Sequence, residues 1–222
     1  EKYASSILPS RFKVNLEIFY NNLKPFGWTR LFLAYFMLGI CLLFFLLFQM
    51  FYSNNIINTI ISINIWLVLF AFLFHFIALA LRWYISGHAP WSNAYESVIF
   101  IAFATMIAGV SFAKKSTFSL AASCLVASML LFVANLNWLN PEITNLVPVL
   151  NSYWLMIHVS VITSSYGFFG LCAFIGLFNL ILIIISNQDK IKAKVLELTI
   201  INEQSMIIGL FLLTIGTFLG GV

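Results

Sequence analysis

The feature that most limits how this chain can fold is a run of 33 residues, Tyr153–Ile185, without Asp, Glu, Lys or Arg. As one helix it would be about 50 Å long, whereas the hydrocarbon core of a bilayer is about 30 Å thick. The run therefore predicts a spanning helix whose extra third tilts or projects from the membrane. Charged residues make up 8% of the chain, against about 25% in soluble domains. This composition excludes a water-soluble enzyme, a disordered chain and a disulfide scaffold.

Five more apolar runs predict an all-α, polytopic membrane bundle of about six transmembrane helices, preceded by an N-terminal interfacial helix. The interfacial helix is Arg11–Leu23, whose apolar residues recur at helical spacing between polar ones, and we expect Pro25 and Gly27 to end it. The other predicted spans are Leu31–Phe51, about Ser62–Arg82, about Tyr95–Phe112, Phe118–Ala134, and a sixth that opens at about Ser205.

The connecting segments carry the polar residues. Asn54, Asn55 and Asn58 predict a short turn, and Lys190, Lys192 and Lys194 predict a basic connector, compatible with a helix, before the sixth span. With six spans, the N-terminus, the 82–95 turn and the 135–152 loop share one side. Basic residues number six on that side and five on the other, so charge alone leaves the orientation open. The net charge of +4 favours contact with lipid head groups and not with nucleic acid.

Three histidines stand out because polar groups inside apolar spans are costly. His75 is interpreted as a buried, hydrogen-bonded residue between helices, with a metal or heme ligand as the alternative. His88 lies in a Gly- and Pro-containing turn that is either an interfacial anchor or a binding turn. His158 falls beyond the hydrocarbon edge if Ser165–Ile185 spans the core. There it is either an interfacial residue or, beside Trp154, a neutral imidazole that could ligate heme iron.

Two stretches resemble a known family. Residues 80–97, ALRWYISGHAPWSNAYES, are similar to the signature RWY-x-x-GH-x-P-x-SN-x-YES. Residues 152–159, SYWLMIHV, together with SYG at 165–167, resemble a second signature, YWLxxHV…SYG. Both signatures belong to the CcsA proteins and the fused CcsBA cytochrome c synthases, which assemble c-type cytochromes. The predicted organisation is then a juxtamembrane segment at 1–30, a helix at 31–55 resembling the end of CcsB, and a CcsA-like membrane domain at 56–222.

This resemblance implies a holocytochrome c synthase that moves heme b across the membrane. Such a protein presents heme for thioether attachment to the CxxCH motif of apocytochrome c. It also implies a CcsB-like half, a thiol-reducing partner, and a bacterial-type inner membrane with the active side facing the periplasm. His158 matches an external axial ligand of the heme iron. The other residues that the resemblance suggests for heme binding are Trp154, Arg82, Trp91 and His88.

Several expectations accompany this resemblance. The family's WWD motif and second external histidine do not occur in the sequence, and we expect the complete protein to continue past Val222. We also expect Trp91, Asn93, Tyr95 and Glu96 to form a structured outer turn. The alternative functions are a CcmC/CcmF-type heme-delivery protein and a non-heme membrane transporter or structural subunit.

Overall fold

The computed structural model describes residues 10–52, 54–143, 152–185 and 189–221, with the side chains at 185 and 190 left aside. These residues are mostly helical and contain no strand, and six of the helices are long and apolar enough to cross a membrane. The predicted all-α bundle is therefore confirmed. Its helices are α1 (Arg11–Leu23), α2 (Leu33–Phe51), α3 (Asn55–Ser86), α4 (Ala94–Phe112), α5 (Thr117–Ala134), α6 (Tyr153–Ile185) and α7 (Asp189–Gly220). A single π-helical turn, Trp28–Phe32, leads into α2.

Helix α1 has the bounds that the sequence predicts. The Ser10 side chain caps its first turn by accepting from the Lys13 amide at 3.3 Å. The helix ends at Leu23 because Lys24 adopts a left-handed conformation, φ 41°, and its N–H donates to the Tyr20 carbonyl. Tyr20 is buried, whereas Phe12 and Phe19 are more than half exposed. One face of α1 therefore packs on the bundle, and its other apolar residues remain available to lipid.

Helix α3 begins earlier than the sequence predicts. The interpretation of Asn55 and Asn58 as turn residues was wrong, since the helix runs unbroken from Asn55 to Ser86. Only Asn54 stays outside it, as an N-cap that accepts from the Ile56 amide. The Asn58 side chain instead accepts a hydrogen bond from Gln49 of α2 at 2.7 Å. A partner on a neighbouring helix thus replaces the local turn contact that favours asparagine in loops.

Helix α7 also begins early. The predicted start at Ser205 was wrong, because one helix of 32 residues runs from Asp189 to Gly220. The expected basic connector is its first turns, where Lys194 pairs with Glu197 at 2.7 Å and lies over the Phe118 ring. Such an i,i+3 pair supports helix continuation through a polar segment. Residues 186–188, between α6 and α7, lie outside the described part, as do residues 144–151 of the predicted 135–152 loop and the first nine residues.

Small residues sit where the helices cross. A Cβ at Gly167 of α6 would come within 2.7 Å of the Thr105 backbone nitrogen in α4. A Cβ at Gly39 of α2 would come within 3.0 Å of Cys124 in α5. Helix α5 is the most enclosed span, with 72% of its apolar window buried in the protein. Close backbone approach of this kind is what holds helices together where lipid offers no hydrophobic advantage.

Helices α6 and α7 form an antiparallel pair along most of their length. The facing pairs pass in regular order from one end to the other. They are Asn179 with Thr199, Gly176 with Asn202, Phe168 with Ser205, Phe169 with Gly209, Ile162 with Gly216 and His158 with Gly220. Successive contact positions on α7 are three, four or seven residues apart, which is the repeat of a helix–helix seam.

The bundle has two polar ends. The first, called the His158 end, gathers α1, residues 87–93, residues 135–143 and the start of α6. The second, called the lysine end, joins residues 113–118 to α7: Lys115 donates to Gln204, midway along the helix, at 2.7 Å, and Lys194 lies over the Phe118 ring. The grouping of α1, the 82–95 turn and the described part of the 135–152 loop on one side is therefore as predicted.

Candidate functional site

A buried ion pair organises the His158 end. Arg82, near the end of α3, is 1% exposed, and its Nε donates to Oε1 of Glu96 at 2.9 Å. Glu96, in the first turn of α4, is fully buried. The two Nη groups of Arg82 donate to the carbonyls of Pro141 and Glu142 at 2.9 and 3.1 Å. One guanidinium thus ties together α3, α4 and the loop that follows α5.

The turn before α4 is fixed by its own polar groups. Asn93 caps the helix by accepting from the Glu96 amide at 2.8 Å, and Oε2 of Glu96 accepts from the Ser92 amide at 3.0 Å. This reciprocal arrangement is a variant of the capping box. Gly87 ends α3 with φ 76°, a conformation that glycine adopts without steric cost. The expected structured turn is therefore present.

Trp91 connects this turn to α6. Its indole N–H donates to the Met156 carbonyl at 3.0 Å, two residues before His158. The ring packs against Phe100, with centroids 4.6 Å apart, and edge-on to Trp83. Trp91 thereby fixes the first turn of α6 against α4, and its contribution to heme binding stays a prediction.

His88 is buried in the same turn. Its Nδ1 lies 3.1 Å from the Ala89 carbonyl and 3.1 Å from the Ser92 hydroxyl. Because a carbonyl can only accept, Nδ1 carries the proton and donates. The imidazole therefore supports the turn from within, and heme binding by His88 stays a prediction.

His75 is confirmed as a buried, hydrogen-bonded histidine between helices. Its Nε2 donates to the Ile99 carbonyl of α4 at 3.2 Å, so Nδ1 accepts from the Tyr35 hydroxyl of α2 at 3.2 Å. Phe26 and Phe103 meet the ring edge-on. Both ring nitrogens are thus used inside the core.

His158 has a different environment. It lies in the second turn of α6 and faces α7, where its Nδ1 donates to the Gly216 carbonyl at 2.5 Å. With the proton on Nδ1, a neutral ring carries its lone pair on Nε2, for which no hydrogen bond is recorded among the described residues. Metal-bound histidines characteristically donate their other N–H to a carbonyl or carboxylate. The donor chemistry of His158 therefore fits heme iron, and Trp154, 59% exposed, shares its helix face one turn away.

A cavity of about 800 Å³ opens beside Arg82. It lies between the end of α1, the start of α4 and residues 134–143, and its wall includes Tyr95, Lys24 and Asn135. Such a volume lies within the range of small-molecule and cofactor sites. Tyr20 also lines it, and burial raises the pKa of the Tyr20 phenol well above its ordinary value, the Arg82 charge opposing this only in part. Arg82 also lines this cavity, and the pairing of Arg82 with a heme propionate stays a prediction.

Sequence reasoning missed two parts of this site. One is a pair of glycines on α7: the His158 ring packs against Gly220 and donates to the Gly216 carbonyl. Their GxxxG spacing was the available signal, because it marks faces where helices approach closely. The other is the pair of backbone carbonyls at Pro141 and Glu142 that hold Arg82. No side-chain pattern in the sequence could have indicated that these two carbonyls bind Arg82. In the part of the chain that the structure describes, no three His, Cys, Asp or Glu residues cluster as a metal centre would require.

Comparison with known proteins shows the family of this chain. Residues 91–222, more than half of the chain, match the model of a family described as cytochrome c assembly protein.

The chain belongs to the cytochrome c assembly protein family.

This membership gives the chain a role in cytochrome c biogenesis and associates it with heme handling. The protein NrfI of Wolinella succinogenes is 43% identical over an alignment of 226 positions, which covers 100% of this chain and 24% of NrfI. The cytochrome c biogenesis protein CcsA of Prochlorococcus marinus (strain MIT 9303) is 40% identical over 40% of this chain and 29% of its own length. CcsA of Lobularia maritima is 45% identical over 39% of this chain and 28% of its own. The chain thus spans less than a third of the length of these relatives.

Proposed function

We propose that this chain forms part of a cytochrome c synthase, which carries heme b across the membrane and presents it for thioether attachment to the CxxCH motif of apocytochrome c. Family membership supports the assembly role, and similarity to NrfI and to CcsA proteins supports a CcsA-like machinery. The single observation that carries the heme assignment is the orientation of His158. Its Nδ1 is held by the Gly216 carbonyl, which leaves Nε2 as the ligating atom.

The residues around His158 have complementary roles in this proposal. Trp154 is exposed on the same face of α6, where its indole can pack against the plane of a bound porphyrin. Trp91 anchors the Met156 carbonyl and so holds the helix turn that carries the ligand. Arg82 and Glu96 hold the neighbouring turn and loop. When bound, heme supplies the vinyl groups with which cysteine thiols react, and these protein groups keep it in place.

The proposal also assigns an orientation and partners. As the resemblance to CcsA proteins implies, the His158 end faces the periplasm of a bacterial-type inner membrane, and the lysine end, with Lys115 and Lys194, faces the cytoplasm. Apocytochrome c approaches from the periplasm, with its cysteines kept reduced by a thiol-reducing partner. The segment 31–55 belongs to a CcsB-like half joined ahead of the CcsA-like domain at 56–222. The match to NrfI includes both segments and supports this fused arrangement.

Spectroscopy of the complete protein tests the heme assignment. The protein is purified in detergent, and its Soret band is compared with that of His158→Ala. We expect the variant to lose cytochrome c maturation and to alter the heme spectrum. Free imidazole in the medium should partly restore both, because it can enter the vacated position and ligate the iron. The membrane fold should persist, since the side chain lies at the end of a long helix pair.

Two outcomes would redirect the proposal. Normal maturation by His158→Ala without imidazole would show that His158 is not the ligand. Heme binding without thioether formation on a CxxCH peptide would favour heme delivery over synthase activity.

A further inference from the structure

The packing of α7 against His158 is closer than helix pairing requires. A Cβ at Gly220 would lie 2.6 Å from Nδ1 and 2.8 Å from Nε2 of the imidazole. One turn earlier, a Cβ at Gly216 would lie 3.2 Å from the Ile162 backbone nitrogen. A side chain could not approach the ring this closely, so position 220 must be glycine for the ring to occupy its place, whereas Gly216 lets α7 approach Ile162 one turn away. The imidazole thus lies in a recess at Gly220, within hydrogen-bond distance of the Gly216 carbonyl.

The recess also selects the tautomer of His158. The Gly216 carbonyl receives the Nδ1 proton, and a carbonyl oxygen has no proton to return. If the ring turned over about the Cβ–Cγ bond, Cδ2 would replace Nδ1 opposite this carbonyl, and the hydrogen bond would be lost. Gly220 lies against both nitrogens and the carbon between them, so the ring has little freedom to rotate.

We propose that Gly216 and Gly220 of α7 are positioning residues for His158: the Gly216 carbonyl keeps the proton on Nδ1, and the recess at Gly220 fixes the ring so that Nε2 carries the lone pair. This inference rests on the proposed function in one respect, namely that the lone pair serves heme iron. Partners of this kind commonly change metal affinity by about 10–100-fold when they are altered. The last turns of α7 thereby become part of the ligand's environment although they contribute no ligand.

Gly220→Ala tests the recess, and Gly209→Ala is its matched control. Gly209 lies on the same seam of α7, where a Cβ would come 2.8 Å from the Phe169 ring, far from His158. In the full-length protein we expect Gly220→Ala to weaken heme binding at least about tenfold in a Soret titration. Gly209→Ala should retain the wild-type affinity. Equal affinities of wild type and Gly220→Ala would overturn the proposal.

A second measurement needs no heme. Full-length protein with ¹⁵N-labelled histidine is reconstituted in lipid, and the ring nitrogen shifts of His158 are assigned by their loss in His158→Ala. We expect a protonated Nδ1 and an unprotonated Nε2 in the wild type and in Gly209→Ala, and a mixture of tautomers in Gly220→Ala. A wild-type ring protonated on Nε2 would contradict the proposal directly. If the shifts follow expectation but His158→Ala binds heme normally, the proposed function fails and the positioning role stands.

A double-mutant cycle covers the case in which Gly220→Ala folds poorly. In a His158→Ala background the clash at Gly220 disappears, since no ring remains to be met. Gly220→Ala should then leave thermal stability unchanged, although it lowers stability in the wild type. An equal loss in both backgrounds would show that the glycine acts on helix packing and not through the imidazole.

Discussion

The three histidines differ in what their ring nitrogens do. His75 uses both inside the core, one as donor to Ile99 and one as acceptor from Tyr35. His88 donates from Nδ1 within its own turn. His158 donates from Nδ1 to a backbone carbonyl on another helix, and no hydrogen bond to its Nε2 occurs among the described residues. In the sequence, His75 and His158 lie in apolar runs and His88 lies in a polar turn, but only the positions of their partners show what each ring nitrogen does.

The buried pair of Arg82 and Glu96 makes the sharpest residue-scale prediction. Glu96→Gln removes the carboxylate that neutralises a guanidinium which is 1% exposed, and it places an amide where Oε2 accepts from the Ser92 amide. Breaking a buried pair on one side typically costs about 3–5 kcal/mol. We therefore expect a clear fall in the thermal unfolding temperature of the purified protein, and a fall in assembly activity larger than the fall in protein level.

Glu142→Gln is the matched control for this prediction. Its carboxylate is exposed, and the contact recorded for it is with the Asn140 amide at 3.3 Å. Because Arg82 uses the backbone carbonyl of Glu142 and not its side chain, unfolding temperature and activity should stay at wild-type values. If Glu96→Gln behaves like this control, the pair does not hold the turn.

Trp91→Phe isolates the indole hydrogen bond to Met156. Phenylalanine keeps an aromatic ring against Phe100 but has no N–H to donate. The loss of one such hydrogen bond is expected to cost about 1 kcal/mol of stability. Thermal unfolding measures this cost, with Trp83→Phe as control, since Trp83 is 51% exposed and its recorded contact with Trp91 is an edge-on ring contact. Equal effects of the two substitutions would argue against the anchor.

At the scale of elements, the bundle depends on close crossings between helices. Gly167→Ala should push α6 away from α4, because its Cβ would meet backbone atoms at 2.7 and 3.0 Å that cannot move aside. Overpacking of this kind typically costs about 1–3 kcal/mol. Gly176→Ala on the same helix is the control, since its nearest neighbour, the Asn202 amide, would lie 3.6 Å away. Only the first variant should unfold at a lower temperature, and an unchanged value would show that the crossing adapts.

The helices also show how much of the fold a sequence pattern can predict. Apolar run length predicts α2, α4, α5 and α6 almost to the residue, because the bilayer requires about 20 apolar residues and every backbone group must bond within its helix. It fails at the starts of α3 and α7, where the helix continues through polar residues. Asn58 is satisfied by Gln49 and Lys194 by Glu197, and such contacts are visible only once neighbouring residues are in place.

The sequence likewise predicts one part of the site and not another. The motif containing Arg82 and Glu96 predicts an ordered turn, because an asparagine three residues before a glutamate is a helix start signal. The role of Arg82 as the link to residues 141 and 142 could not be predicted, since its acceptors are backbone carbonyls about 60 positions away along the chain. The recess for His158 joins two helices in the same way. A single sequence contains little information about long-range contacts to backbone atoms, so these contacts could not be predicted.

At the scale of the whole molecule, contacts divide the polar segments between two ends. Asn135 donates to the Phe26 carbonyl at 2.7 Å, which joins the loop after α5 to the segment after α1. Lys115 donates to Gln204 at the opposite end. An even number of spans, six, brings α1 and the end of α7 to the same side. His158, the turn before α4 and the cavity beside Arg82 therefore all lie at one end of the bundle.

The last prediction concerns which face that is. Single cysteines at Asn137 and Lys115, both exposed, are introduced after Cys41, Cys124 and Cys172 have been replaced by alanine. In intact cells a membrane-impermeant maleimide should label the cysteine at 137 and should reach the one at 115 only after detergent permeabilisation. This orientation follows from the proposed function, which places the His158 end in the periplasm, since the basic residues on the two sides are nearly equal in number and charge alone does not decide it. Labelling of both sites from outside would contradict the six-span topology, and labelling of 115 alone would invert it and place His158 away from the periplasm.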